Sequence, residues 1–212
     1  MSNIAMNVDR TKVLFELSLI NTSEETIYDK ITQFTGKVIN APISLVSLVA
    51  PDHQFFKSGF GLPEPVRSER RTPLSYSFCK HAIKENKPLV VPDTRINDTV
   101  KDVLAIKEFN IVGYLGIPLA IEGGKALGTL CVLEHEVRDW TDTEIGIMTE
   151  LSEIIIKEFD TRAYVSRKRM TKAELVELQN RIISFIDSID IAQNTDAILA
   201  EIKQKRIDFD LL

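Results

Sequence analysis

The segment IVGYLGIPLAIEGGKALGTLCVL, residues 111–133, decides the fold of this 212-residue chain. Its two halves, Ile111–Leu119 and Ala126–Leu133, predict strands, and the residues Glu122-Gly123-Gly124-Lys125 between them are typical of a hairpin turn. In both strands apolar and small residues fall on the two alternating faces rather than on one. A sheet built from such strands is covered on both sides.

Shorter elements surround this hairpin. The β-branched run Ile43–Val49 and the segment His53–Ser58 predict a second strand pair, and Leu89–Val91 predicts a short strand that ends at Pro92. Glycines and prolines between residues 59 and 65 indicate a loop. Apolar spacing and capping residues predict helices at Asp9–Asn21, Ser23–Val38, Tyr76–Glu85, Val103–Phe109 and Ala197–Arg206, and a long helix that begins at Thr141-Asp142-Thr143-Glu144.

The C-terminal part of the chain carries one further helical pattern. Its apolar residues follow steps of three and four, as in a coiled-coil seam: Leu175, Leu178, Ile182, Phe185 and Ile189. A seam of this kind is buried either between two copies of the chain or by folding back on its own domain as a helical hairpin. The first arrangement predicts a homodimer, and the sequence leaves both arrangements open.

Charge and composition exclude several classes of function. The 26 Lys and Arg residues are outnumbered by 31 Asp and Glu residues, giving a net charge of −5, so we expect no nucleic-acid partner. Two cysteines outside any CxxC motif cannot form a disulfide framework and fit a reducing compartment. No apolar run has the length of a signal peptide or a membrane span, so we expect a cytoplasmic protein without a membrane partner.

Five short motifs then occur in a familiar order. They are Phe55-Phe56-Lys57-Ser58 with Gly61-Leu62, Ser77-Phe78-Cys79-Lys80-His81-Ala82-Ile83, Pro88-Leu89-Val90-Val91-Pro92-Asp93, Ile117-Pro118-Leu119, and Leu127-Gly128-Thr129-Leu130-Cys131-Val132. Over roughly Glu24–Thr161 the chain resembles the GAF domain family. The resemblance implies an α/β (α+β) sensory module: an antiparallel sheet with a helical bundle on one face and loops and short helices over a ligand pocket on the other. The predicted units are an N-terminal helix (1–22), the GAF domain (23–161) and a C-terminal helical extension (162–212).

The resemblance also implies where a small molecule would bind. The cavity would lie between the sheet and the segments Leu74–Ile83 and Asp93–Asn110. Its candidate ligand-binding residues are Tyr76, Phe78, Cys79, Asp93, Arg95 and Tyr114. A mostly apolar cavity with a few converging polar groups is the usual way to hold a small molecule. Asp93 has a second interpretation, as a carboxylate that caps the turn after Pro92.

The residues that carry reactive chemistry do not form a catalytic site in the sequence. Cys79 lies near a helix start and beside Lys80, which favours mild activation, but residues two apart on a helix do not face each other, so His81 is no base for it. We therefore interpret Cys79 as a small buried side chain and Cys131 as a core residue. Three scattered histidines predict no metal site. We expect no catalytic residues, and the sequence does not name a cofactor.

Three hypotheses about function follow. The first is a stand-alone, non-catalytic sensor that binds an unknown small molecule and signals through its flanking helices as a homodimer, with a downstream signalling protein as a candidate partner. The second is an adaptor whose pocket is filled by its own side chains and whose helices dock a partner protein. The third is a thiol-dependent free methionine sulfoxide reductase, which is disfavoured because those enzymes use several cysteines in a set pattern.

Overall fold

An antiparallel sheet forms the centre of the molecule in the computed structural model, which describes residues 8–121, 124–166 and 171–206. Its strands are β1 (Ile43–Val49), β2 (His53–Phe60), β3 (Arg71–Pro73), β4 (Leu89–Val91), β5 (Gly113–Ile121) and β6 (Lys125–Glu134). They lie in the order β3-β2-β1-β6-β5-β4, and each neighbouring pair is antiparallel. The predicted fold class is therefore confirmed.

The central hairpin follows the predicted pattern. Ile121 pairs with Lys125 at the end of β5 and β6, and Gly124 turns the chain with a φ of 82°, a conformation that glycine adopts without steric cost. Glu122 and Gly123, the first half of the predicted turn, lie outside the described residues.

Helices cover the sheet on both sides. They are α1 (Val8–Glu16), α2 (Thr26–Val38), α3 (Val66–Glu69), α4 (Cys79–Glu85), α5 (Ala105–Glu108), α6 (Asp142–Ser166), α7 (Lys172–Ser188) and α8 (Thr195–Arg206). The predicted helix Tyr76–Glu85 begins later than expected, because a separate 3₁₀ turn occupies Leu74–Tyr76. The loop predicted between residues 59 and 65 is followed by two short elements that the sequence did not predict, α3 and β3. Among the described residues no helix has the length and apolar character needed to cross a membrane.

Alternate side chains of each central strand enter two separate cores. On one face, Val46 and Leu48 pack with α1, α2, α6, α7 and α8 in the larger core. On the other face, Leu45, Tyr114 and Cys131 pack with α4, α5 and the segment before them. This alternation explains the apolar residues on both faces of the predicted strands.

The apolar seam of α7 is buried within its own chain. Leu178, Ile182, Phe185 and Ile189 are buried in the larger core, and Leu175 is half-buried. A capping box starts this helix, in which the Thr171 hydroxyl accepts the Glu174 N–H and the Glu174 carboxylate accepts the Thr171 N–H. Of the two arrangements that the sequence left open, the chain thus adopts the fold-back on its own domain.

Candidate functional site

A narrow cavity lies on the face of the sheet away from α2 and α6. Its floor is formed by side chains of β1, β2, β5 and β6, including Leu45, Phe56 and Leu133. Leu62 and Ala105 lie in the segments that cover it. The cavity has a volume of about 40 Å³, which is room for a few water molecules at about 10–15 Å³ each and far below the roughly 300–1,000 Å³ of a usual small-molecule pocket. The predicted position between sheet and covering segments is therefore right, whereas the space in it is small.

Four of the predicted ligand-binding residues line this cavity. They are Tyr76, Phe78, Cys79 and Tyr114. The rings of Phe78 and Tyr114 stack with their centroids 5.0 Å apart and are both buried, so they fill much of the volume that a ligand would use. The Tyr76 hydroxyl donates to Glu108 at 2.6 Å, which ties the 3₁₀ turn to α5. The ligand-binding role of these residues stays a prediction.

Asp93 and Arg95, the other two predicted residues, do not line the cavity. The Asp93 carboxylate accepts hydrogen bonds from the backbone N–H and the guanidinium of Arg95, and these bonds lower the pKa of Asp93. Between them Thr94 is fully buried and donates its hydroxyl to the Ile111 carbonyl at 2.7 Å. Because Thr94 anchors this turn, its two neighbours lie towards solvent, and Asp93 takes the turn-capping role given as its second interpretation.

The two cysteines face each other at the floor of the cavity. Both thiols are free and buried, and their Sγ atoms are 4.0 Å apart. The Cys79 Sγ also accepts hydrogen bonds from the Thr129 hydroxyl at 3.0 Å and the Tyr114 hydroxyl at 3.5 Å. Gly116 makes the last contact possible, because a Cβ atom there would lie 2.2 Å from the Tyr114 hydroxyl.

These surroundings make the two thiols unequal. The hydrogen bond from the Cys131 thiol lowers the pKa of Cys79, helped by the surrounding hydroxyl groups and opposed by burial. Burial, together with the hydrogen bond and charge of Cys79, raises the pKa of Cys131. Lys80, the neighbour that could have activated Cys79, takes no part in these contacts, because its ammonium donates to the Leu74 carbonyl at 3.0 Å. Burial and neighbouring lysines lower the pKa of His81 to about 4, so its imidazole is neutral at pH 7.

Sequence reasoning missed Gln54, a further polar side chain that lines the cavity beside Thr72. Gln54 is 5% exposed, and its Nε2 donates to the Thr72 hydroxyl at 2.9 Å. Its Oε1 has no hydrogen-bond partner among the described residues. The strand His53–Phe60 alternates, so the pattern places Gln54 on the same face as Phe56, and that alternation was the available signal.

The opposite face of β2 carries a buried ionic network. The Lys57 side chain is 0% exposed, pairs with Glu25 and donates to the Thr22 hydroxyl at 2.6 Å. Burial lowers the pKa of Lys57, whereas the hydrogen bonds from Arg162 and Lys57 lower the pKa of Glu25 against the effect of burial. Arg162 also donates to Glu158 at 2.6 Å.

This ionic network reaches the C-terminal helices. The Gln179 amide of α7 donates to the Glu158 carboxylate of α6 at 2.7 Å, and Tyr28 of α2 donates to the same carboxylate. A continuous set of polar contacts therefore runs from β2 through α6 to α7. Among the described residues, no three His, Cys, Asp or Glu side chains cluster in an arrangement that could hold a metal ion.

Comparison with known proteins gives two curated relatives. The chain is 26% identical over 148 residues to the cyclic di-GMP phosphodiesterase PA2567 of Pseudomonas aeruginosa, which is 69% of this chain and 24% of that protein. It is 28% identical over 123 residues to the diguanylate cyclase DgcP of Escherichia coli, which is 58% of this chain and 34% of that protein. The chain thus spans a quarter to a third of these relatives.

A solved structure and a sequence family agree on the fold. The GAF domain of an Acinetobacter phosphoenolpyruvate-protein phosphotransferase superposes with a TM-score of 0.55 at 13% identity, covering 79% of this chain and 99% of that one. The family description of the GAF domain matches residues 23–158, more than half of the chain. With two relatives in cyclic di-GMP signalling, these matches identify a sensory or regulatory module: the chain belongs to the GAF domain family.

Proposed function

We propose that this chain is a non-catalytic regulatory module that binds a small, largely apolar molecule in its cavity and signals through its helices. The observation that carries this proposal is the Gln54 Oε1, a buried acceptor that has no hydrogen-bond partner among the described residues and lies at a mostly apolar cavity. An unsatisfied buried polar atom costs about 1–3 kcal/mol. A ligand with an N–H or O–H donor would remove that cost, so we expect a compact apolar molecule with one donor group.

Strand β2 supplies the route by which binding would be transmitted. Its alternating side chains place Gln54 and Phe56 at the cavity and Lys57 in the ionic network on the other face. A ligand that displaces the first two shifts the backbone that also holds Lys57. Through Glu25 and Arg162 this shift reaches α6, and through Glu158 it reaches α7.

The relatives suggest the setting of this signal. Both are cyclic di-GMP signalling proteins, and most of the length of each lies outside the matched region. We propose that the module regulates a signalling protein of that class, in the cytoplasm, where a pair of free thiols fits the reducing environment.

Native mass spectrometry of the purified chain tests ligand binding. We expect a retained small molecule that is released on denaturation. The matched control is Ala105→Val, which adds methyl groups at the cavity wall and should remove the retained mass while the fold is kept. A thermal-shift screen with small apolar alcohols and amides should likewise raise the melting temperature of the natural chain and not of this variant. Equal behaviour of the two proteins would contradict the proposal.

The adaptor hypothesis has one observation in its favour. Phe78 and Tyr114 are stacked inside the cavity and leave about 40 Å³, so the site is filled mainly by its own side chains. An adaptor predicts no retained molecule, no response to the compound screen, and a rise in stability for Ala105→Val because the substitution fills empty space. The same two measurements therefore separate the two functions.

Homodimer formation is a further part of the proposal. Because the apolar seam is buried in its own chain, a dimer interface has to use another surface. The outer face of α7 has a concavity of about 820 Å³, and Val176 in its lining is 52% exposed. Sedimentation velocity over a range of concentrations tests it. We expect a dimer that Val176→Glu weakens, and a monomer at high micromolar concentration would rule it out.

The absence of catalysis is tested with free methionine sulfoxide. A reductase of that kind would turn over this substrate with a thiol reductant and lose activity in Cys79→Ser. We expect no turnover in the natural chain.

A further inference from the structure

We propose that Cys79 and Cys131 form a peroxide-oxidisable pair: a hydroperoxide small enough for the cavity oxidises Cys79, and Cys131 then closes an internal disulfide. This modification site goes beyond the proposed function, and it does not depend on a reversible ligand. The reaction needs no larger cavity, because hydrogen peroxide is close in size to water, and a volume of about 40 Å³ accommodates water.

Geometry brings the reacting atoms together. The two Sγ atoms lie 4.0 Å apart, and both cysteines line the cavity. A disulfide bond is about 2.05 Å long, so the sulfurs have to approach by roughly 2 Å. Cys79 is the first residue of α4, a helix of seven residues, whereas Cys131 lies in a central strand paired on both sides. We therefore expect the movement to occur at α4.

The contacts assign different roles to the two thiols. The Thr129 and Tyr114 hydroxyls donate to the Cys79 sulfur, and such donors stabilise the thiolate that attacks a peroxide. Burial instead raises the pKa of Cys131 and keeps it as the thiol. Cys79 is thus the residue that reacts first, and Cys131 is the resolving residue.

The two steps balance with the peroxide as the only oxidant. In the first step the Cys79 thiolate attacks one peroxide oxygen, the O–O bond breaks, and the leaving hydroxide takes up a proton to become water. Cys79 becomes a sulfenic acid. In the second step the Cys131 sulfur attacks the Cys79 sulfur, the S–O bond breaks, and the released hydroxide combines with the Cys131 proton as a second water. Two thiols have then lost two electrons to one peroxide.

Intact-mass and peptide analysis of the full chain after hydrogen peroxide treatment tests this proposal. We expect the loss of two hydrogen atoms, the loss of both alkylatable thiols, and a cross-linked peptide that joins Cys79 to Cys131 within one chain. Reduction with dithiothreitol should reverse all three changes. Two thiols that remain alkylatable in the natural chain, or a disulfide between chains, would overturn the proposal, and neither result depends on whether a variant folds.

Variants assign the order of the steps. In Cys131→Ser the reaction should stop at the sulfenic acid, which dimedone labels on Cys79, whereas Cys79→Ser should gain no label. Ala105→Val keeps both thiols and reduces the space, so it should slow the oxidation. Labelling of Cys131 in Cys79→Ser at the same rate would overturn the assignment. Retained ligand mass is measured without peroxide, so failure of ligand binding and failure of this reaction are separate results.

Discussion

On one face of β2 the ammonium of Lys57 is buried against Glu25, whereas on the other face the Oε1 of Gln54 is buried with no hydrogen-bond partner in the described part of the chain. The face that packs against α2, α6 and α7, called the helix side below, thus holds paired charges and a large apolar core. The cavity-facing side holds neutral polar groups: thiols, hydroxyls and one amide. The two faces of one sheet therefore differ in the kind of polar group they bury: paired charges on one face and neutral groups on the other.

This difference separates structural from functional polarity. A buried charge without a partner costs far more than a buried neutral amide, so the charges of the helix side have to be paired within the fold. A neutral acceptor can be left open at modest cost and supply a site for a ligand. The following predictions test this comparison, from the largest expected effect to the smallest.

Arg162→Ala should have the largest effect, since it breaks the network on the helix side. Glu158, whose side chain is 0% exposed, then loses its cation. Removing one partner of a buried ion pair costs about 3–5 kcal/mol, so the free energy of unfolding in urea should fall by that amount. The control is Lys101→Ala, which breaks an exposed pair with Asp98 and should change stability by less than about 1 kcal/mol. Similar losses for both variants would contradict the comparison.

Gly116→Ala should have the next largest effect, on the cavity side. Its Cβ would lie 2.2 Å from the Tyr114 hydroxyl, so the ring has to move away from Cys79. Overpacking of this kind costs about 1–3 kcal/mol of unfolding free energy. Adding Tyr114→Phe removes the closest atom and should recover part of the loss. Purely additive effects of the two substitutions would show that the contact does not exist.

Acidification should lower the free energy of unfolding through His81, which lies on the cavity side of the sheet. Burial lowers the folded-state pKa of His81 to about 4, below its ordinary value of 6.5. Between these values the unfolded chain binds the additional proton, so the free energy of unfolding should decrease as pH falls from 6.5 towards 4. His81→Gln cannot titrate, so the slope in this window should become flatter. An unchanged slope in urea unfolding would assign the acid sensitivity to other groups.

The smallest effect is expected for the double variant Gln54→Met with Thr72→Val. Replacing both partners of a buried hydrogen bond by apolar groups of similar shape is close to neutral, within about 1 kcal/mol. Thr72→Val alone should cost more, because it leaves the Gln54 amide donors unpaired. Stability therefore stays near the natural value in the double variant, while retention of the proposed ligand should be lost. A large loss of stability would show that Gln54 is structural.

Periodicity explains how far the sequence could predict this molecule. The alternation of Ile43–Val49 and of the hairpin strands determines which side chains enter each core, so the sheet with two covered faces was predictable. The strand Arg71–Pro73 was not, because it has three residues without an apolar pattern and is defined by its pairing with His53–Phe55. Local pattern is silent about such distant pairings.

The candidate site was predictable to a smaller extent for the same reason. Four residues at the cavity follow from the resemblance to the family, but Asp93 and Arg95 are positioned by one buried neighbour, Thr94, whose contacts no local pattern reveals. The proximity of Cys79 and Cys131 likewise arises from packing between residues 52 positions apart. A helix start and a central strand carry no sequence signal for facing each other.

The outermost strands of the sheet limit how copies of the chain can associate. β3 and β4 have three residues each, Pro73 ends the first and Pro92 follows the second. Beyond β3 the guanidinium of Arg70 donates to the Lys57 carbonyl at 2.7 Å and occupies the next acceptor of β2. Short, proline-bounded borders offer few free backbone groups for strand addition. Edge-to-edge addition of strands, the route by which sheets grow into fibrils, is therefore disfavoured.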